Sequence, residues 1–176
     1  MQARPMTRVA LFAVLTFISG LISIPMGPVP ITFQTTLVIL TGLLLLPGEA
    51  FLAMGLHLLL KVFLQGGQIL VTPSFGFLLG FILAAGLASF YLSSRPRTQK
   101  NLLVAILLAS LLPYLVGLPY MAFILNGLKG SGLGLMAILT SGFFLFIPGD
   151  ILKAVLAYVL AKRLYPLMGP AGEGRP

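Results

Sequence analysis

The sequence predicts an all-α integral membrane protein with six transmembrane helices and both termini cytoplasmic. Three observations carry that expectation. Of 176 residues, 59% are hydrophobic and 8% are charged, whereas soluble domains carry about 25% charged residues. The apolar residues fall in runs long enough to cross a bilayer, parted by short breaks rich in proline, glycine and charge. The basic residues gather at alternate breaks, as the positive-inside rule requires.

The first span is expected over 8–25, roughly 27 Å of helix at 1.5 Å per residue. Basic residues followed by an apolar run resemble a signal peptide. No small-residue cleavage site precedes the next helix, so the segment is read as a retained first helix. A loop at 26–33 follows, where Gly27, Pro28 and Pro30 forbid a continuous helix. The second span covers 32–46 and ends in the turn Pro47-Gly48-Glu49. The third covers 50–65 and carries His57 and Lys61. A polar, Gly-rich loop from Gln65 to Ser74 leads to the fourth span, 75–92. The basic loop from Ser93 to Lys100 leads to the fifth, 101–119. Residues 120–147 are apolar but broken by Asn126, Lys129 and several glycines, and read as a loop plus a short interfacial helix. The last span opens at Pro148-Gly149-Asp150 and ends near Pro166. Residues 1–168 are thus one six-helix domain, and the Gly/Pro-rich tail 169–176 is expected to be disordered.

Charge placement tests this count. Of the 11 basic residues, eight (Arg4, Arg8, Arg95, Arg97, Lys100, Lys162, Arg163 and Arg175) fall on the terminal side. The 26–33 loop, the 66–74 loop and the start of the last helix then face outward. The net charge of +8 belongs to this topology, and no nucleic-acid partner is expected. The lipid bilayer is the main surrounding. Gly76, Gly80, Ala84 and Ala88 recur at i+4 on the fourth span, a spacing that lets helices approach closely.

Candidate chemistry is sparse. There is no cysteine, one histidine and three acidic residues, so neither a disulfide nor a metal centre is expected. No Walker A, HExxH or GxSxG motif is present, and the chain is not expected to be an enzyme. Its energy must come from a gradient or from a partner. Asp150 and Lys153 share one helix face at i+3. Asp150 also stands in the first turn, where the helix dipole favours an anion. Either the pair merely caps the helix, or it meets a ligand, since ionisable groups in membrane segments usually serve function. Lys61 either snorkels to the outer headgroups or faces the bundle interior toward an anion, with His57 one turn away. Glu49 is expected to be a solvated turn residue. Thr32, Gln34, Thr35 and Thr36 offer donors and acceptors, to a ligand or to the backbone freed by the prolines. Gln65, Gln68 and Asn126 are outward-side amides.

Three segments together resemble the BioY family, the biotin-specific S components of energy-coupling factor (ECF) transporters. They are Gly27-Pro28-Val29-Pro30-Ile31-Thr32-Phe33-Gln34-Thr35, the stretch from Thr72 to Phe81, and Phe146-Ile147-Pro148-Gly149-Asp150-Ile151-Leu152-Lys153-Ala154. Gly117-Leu118-Pro119-Tyr120 is similar too, and the resemblance spans roughly residues 8–165. It implies an S-component fold with vitamin bound near the outer side. It also implies partnership with a transmembrane coupling subunit and two ATP-binding-cassette ATPases. Asp150 and Lys153 stand where the family contacts biotin. Biotin is cargo, and no cofactor is implied. Lys61 stands where the family usually has a small residue, and is expected to take the biotin carboxylate. Thr32, Gln34, Gln65 and Gly76 complete the expected substrate-binding set. The AxxxA pattern that S components turn to the coupling subunit is interrupted, Ala10 being followed four later by Val14. Two other readings stay open: the same fold for a different vitamin, and a stand-alone proton-coupled carrier in a prokaryotic cell membrane.

Overall fold

The computed structural model describes residues 3–168, so the expectation for the 169–176 tail falls outside the described residues. The chain is a helical bundle with one short β-ribbon. Helix α1 spans Ala3–Ser19, earlier at both ends than the 8–25 expected. Strands β1 (Ser23–Ile24) and β2 (Ile31–Thr32) pair antiparallel, Ser23 opposite Thr32. They turn what reads as an irregular loop into a hairpin. Its tip bends at Gly27, whose φ of 97° a side chain would strain. Helices α2 (Gln34–Leu44) and α3 (Pro47–Gln65) follow, then a 3-10 turn over Gly67–Val71. Helix α4 spans Phe75–Ser93 and α5 spans Gln99–Ala122.

The region 120–147 departs most from expectation. Helix α5 runs on through a π-helical turn, Phe123–Leu128, so it is not a loop there. After a break at 129–134, whose Gly130 and Gly132 have positive φ, α6 (Leu135–Leu139) passes through a second π turn, Thr140–Phe144, toward α7 (Ile147–Leu164). Among the described residues four helical stretches are long and apolar enough to cross a membrane: Pro47–Gln65, Phe75–Ser93, Gln99–Leu128 and Leu135–Leu164. Pro5–Ser19 and Gln34–Leu44 are apolar but shorter.

The short helix α2 explains the architecture. Its 11 residues span roughly 17 Å, too little for a bilayer core, yet it is apolar on nearly every side. Such a helix belongs inside protein, and Val38, Ile39 and Leu43 are fully buried. Helices α1, α4, α5 and α7 all pack on it. Its C-terminal end has carbonyls with no helical partner. The Ser89 hydroxyl on α4 donates to the Leu45 carbonyl just beyond the helix. The Arg97 guanidinium donates to the Leu43 carbonyl while stacking on Tyr165. Burial lowers the Arg97 pKa, and contact with Tyr165 opposes that.

The small-residue stripe on α4 does what its spacing suggests. A Cβ at Gly80 would stand 2.7 Å from Pro113 Cα on α5, and one at Gly76 would overlap Tyr120. Ala84 and Ala88 are fully buried. The outer faces are apolar, as a lipid-facing surface must be. Leu103, Leu107, Leu111 and Leu115 form one exposed row along α5.

Glu49 is not a solvated turn residue. It is buried, accepts from Arg8 Nη2 on α1 at 2.8 Å, and caps the start of α3 through the Leu46 amide. Removed from water, the carboxylate needs that partner.

Candidate functional site

A cavity of about 250 Å³ lies at the end of the bundle where α1 stops and α7 begins. The 27–36 segment forms one wall. Val29, Pro30, Thr32, Gln34 and Thr35 all line it. The hairpin holds its place because Val29 is buried in an apolar cluster with Phe77, Met121, Leu125, Ile138 and Phe146. The returning arm of the hairpin is therefore packed down at Val29, while residues 21–27 stay exposed.

Helix α7 supplies the charges. Pro148 suits the first turn, where its missing N–H costs nothing. Phe146, Asp150 and Lys153 then fall on one face and line the cavity. Lys153 Nζ donates to Asp150 Oδ1 at 2.9 Å, and both side chains are largely buried. Asp150 Oδ2 accepts from the Tyr114 hydroxyl on α5. Both carboxylate oxygens are thus engaged, as a carboxylate this far from water demands. Phe77 and Phe143 stand edge-on to the Tyr114 ring and fix its position. Besides standing in the first turns of α7, the pair lines the cavity and reaches a second helix through Tyr114.

Across the cavity, Lys61 points inward from α3. It does not snorkel: it is 7% exposed and lines the cavity. Its ammonium lies 5.7 Å from the centre of the Phe17 ring. Among the described residues no carboxylate stands within ion-pair reach of it. Among the described residues the other buried cation, Lys153, has a carboxylate partner and Lys61 has none.

Gln34 is held from three directions. The Thr32 hydroxyl donates to its Oε1 at 3.2 Å, and its Nε2 lies 3.1 Å from His57 Nε2. Gly20 leaves room for the carboxamide, since a Cβ there would come within 2.6 Å of it. An amide nitrogen can only donate, so His57 Nε2 accepts. His57 is completely buried behind Gln34 and does not line the cavity.

Six of the seven expected substrate-binding residues therefore surround one cavity: Thr32, Gln34, Lys61, Gln65, Asp150 and Lys153. Gly76 does not line it. It faces α5 because only a hydrogen fits beneath Tyr120. Gln68 and Asn126 also lie elsewhere, and Asn126 bonds both backbone groups of Leu133 to close its loop. Sequence reasoning missed Tyr114 and Ser110, which line the cavity one helical turn apart on α5. Their i+4 spacing on an otherwise apolar helix was the available signal. Residues that could hold a metal ion do not cluster among the described residues.

The cavity lining combines these polar side chains with the apolar Ile69, Phe77, Leu78 and Phe81. That suits a compact ligand with an apolar body, neutral polar groups and an anionic group.

Comparisons with known proteins agree. The BioY family profile matches residues 1–170. A probable biotin transporter BioY of Lysinibacillus sphaericus is 35% identical over 172 residues, covering 93% of this chain and 87% of that protein. The biotin transporter BioY of Rhizobium etli is 32% identical over 191 residues, covering 96% and 98%. The crystal structure of the S-component for biotin from an ECF-type ABC transporter superposes with a TM-score of 0.77. Its identity is 26%, and the match covers 93% of this chain and 94% of that one.

Proposed function

The chain belongs to the BioY family, and from that membership we propose that it is the biotin-binding S component of an ECF-type vitamin importer. It is a multi-pass protein of a prokaryotic cell membrane and a transport subunit, not an enzyme. The observation that carries the reading is one cavity with paired Asp150 and Lys153 on one side and an unpaired Lys61 on the other. Biotin has a ureido group with two N–H donors and one carbonyl, an apolar bicycle and a carboxylate tail. Asp150 accepts from ureido N–H. Lys153, with protons left after its bond to Asp150, donates to the carbonyl. Such charge-assisted bonds are strong in a desolvated site. The thioether ring lies against Phe77, Leu78 and Phe81. Lys61 takes the carboxylate, and Thr32, Gln34 and Gln65 complete the polar lining.

The topology belongs to the same reading. Six helical passes, with the short α2 enclosed by the other helices, put both termini in the cytoplasm and the cavity toward the outside, where scarce vitamin is met. The sequence holds no Walker A motif, and the chain relies on a transmembrane coupling subunit and two ATPases to reorient it. The test is a biotin titration of the purified, detergent-solubilised protein without ATP. Nanomolar binding is expected. Absence of biotin binding, with binding of another vitamin, would overturn the substrate; gradient-driven uptake by the chain alone in liposomes would overturn the class.

A further inference from the structure

Four buried side-chain atoms among the described residues have no hydrogen-bond partner: Arg8 Nε, Thr36 Oγ1, His57 Nδ1 and Ser110 Oγ. Of these residues only Ser110 lines the cavity. Among the helical serines of the described residues it is alone in lacking a partner. The other serines within helical segments are satisfied: Ser19, Ser93 and Ser141 donate to a carbonyl three or four residues back, and Ser89 donates across to α2. The same local bond to the Ile106 carbonyl is the ordinary resort of a helical serine, and Ser110 does not make it. An unpartnered buried hydroxyl is costly, and on a residue that lines the cavity a ligand can supply the missing partner.

Helix register says which part of the ligand it meets. Helices α5 and α7 run in opposite directions along the bundle, and Tyr114 meets Asp150. One turn deeper from that contact, away from the hairpin, lies Ser110 on α5. One turn deeper on α7 lies Lys153. Both are donors, and both lie beyond the acceptor Asp150. We propose that Ser110 is a ligand-contacting residue whose hydroxyl, beside the Lys153 ammonium, donates to the carbonyl oxygen of the ureido ring. Asp150 then reads the N–H edge, while Ser110 and Lys153 read the oxygen. The proposal rests on the biotin reading and sharpens it: this end of the cavity selects a cyclic urea by the order acceptor, then donors.

The experiment uses the full-length protein with the near-isosteric Ser110→Ala. Calorimetric titration is run with biotin and with 2-thiobiotin, whose sulfur is a poorer acceptor, and the melting of ligand-free protein is followed. Loss of one neutral hydrogen bond should weaken biotin about 2- to 12-fold, and 2-thiobiotin by less. The ligand-free protein should melt no lower, because the change removes an unpaired polar group. Unchanged biotin affinity, equal losses for the two ligands, or a lower ligand-free melting temperature would each overturn the proposal. Failure of the unaltered protein to bind biotin would instead overturn the function on which it rests.

Discussion

Tyr114 on α5 donates its phenolic hydrogen to Asp150 Oδ2 on α7, and the other oxygen of that carboxylate takes the Lys153 ammonium. The contact joins two helices that meet at the cavity wall. It also fixes the carboxylate's rotation, so that Asp150 presents a defined edge to a ligand. A hydrogen bond to a charged group is worth about 1.5–3 kcal/mol. Tyr114→Phe keeps the ring between Phe77 and Phe143 but frees Oδ2. Biotin affinity should fall about 10- to 100-fold. The chain has no tryptophan, so calorimetry or labelled biotin is the suitable measurement. Retention of full affinity would mean that Tyr114 packs without positioning Asp150.

The Asp150–Lys153 pair predicts a separation of stability from binding. Breaking a buried pair by removing one charge costs about 3–5 kcal/mol, because the other is left uncompensated. Asp150→Asn should therefore lower the melting temperature in detergent and abolish biotin binding. Adding Lys153→Met removes the stranded cation. The double variant should regain most of the lost stability and still not bind. A double variant as unstable as the single would show that the pair is needed for the fold itself.

Close approach of α4 and α5 carries its own prediction. A Cβ at Gly80 would stand 2.7 Å from Pro113 Cα and 2.9 Å from its carbonyl oxygen. Backbone cannot yield there as a side chain could, so Gly80→Ala must push α5 outward. Overpacking of this kind costs about 1–3 kcal/mol. Gly55→Ala on α3 is the control, because nothing lies within 4 Å of its added methyl. It should leave stability unchanged or raise it, since alanine favours the helix. Melting curves of the two variants check both statements; equal behaviour would contradict the packing.

These relationships differ in how far the sequence exposes them. Asp150 and Lys153 are legible because i+3 charges in an apolar helix have few explanations. The wall formed by residues 27–36 is legible because two prolines and a glycine force a break. The length of α2 is not, since hydropathy scores lipid-facing and protein-buried residues alike. Val38 and Ile39 would read the same on either surface. The hairpin is hidden for a related reason: its strands have two residues each and no periodicity to detect. Glu49 reads as a turn residue because its partner, Arg8, is distant in the chain and meets it only through the packing of α1 on α3. Tyr114 looks like one more aromatic beside Pro113 until its hydroxyl is seen to reach α7.

Lys61 gives the most discriminating prediction. Its ammonium lies in the cavity with the Phe17 ring near it and no anion in reach among the described residues. The empty protein bears this cost, and a ligand carboxylate relieves it. Two consequences have opposite signs. Lys61→Ala should raise the melting temperature of ligand-free protein, or leave it unchanged, because an uncompensated buried charge is removed. The same change should weaken biotin about 10- to 100-fold, the worth of a bond between charged groups. Biotin amide has no charge to pair, so its affinity should change far less. Titration of both ligands against both proteins, with melting curves of the empty forms, completes the test. Equal losses for biotin and its amide would move the carboxylate away from Lys61.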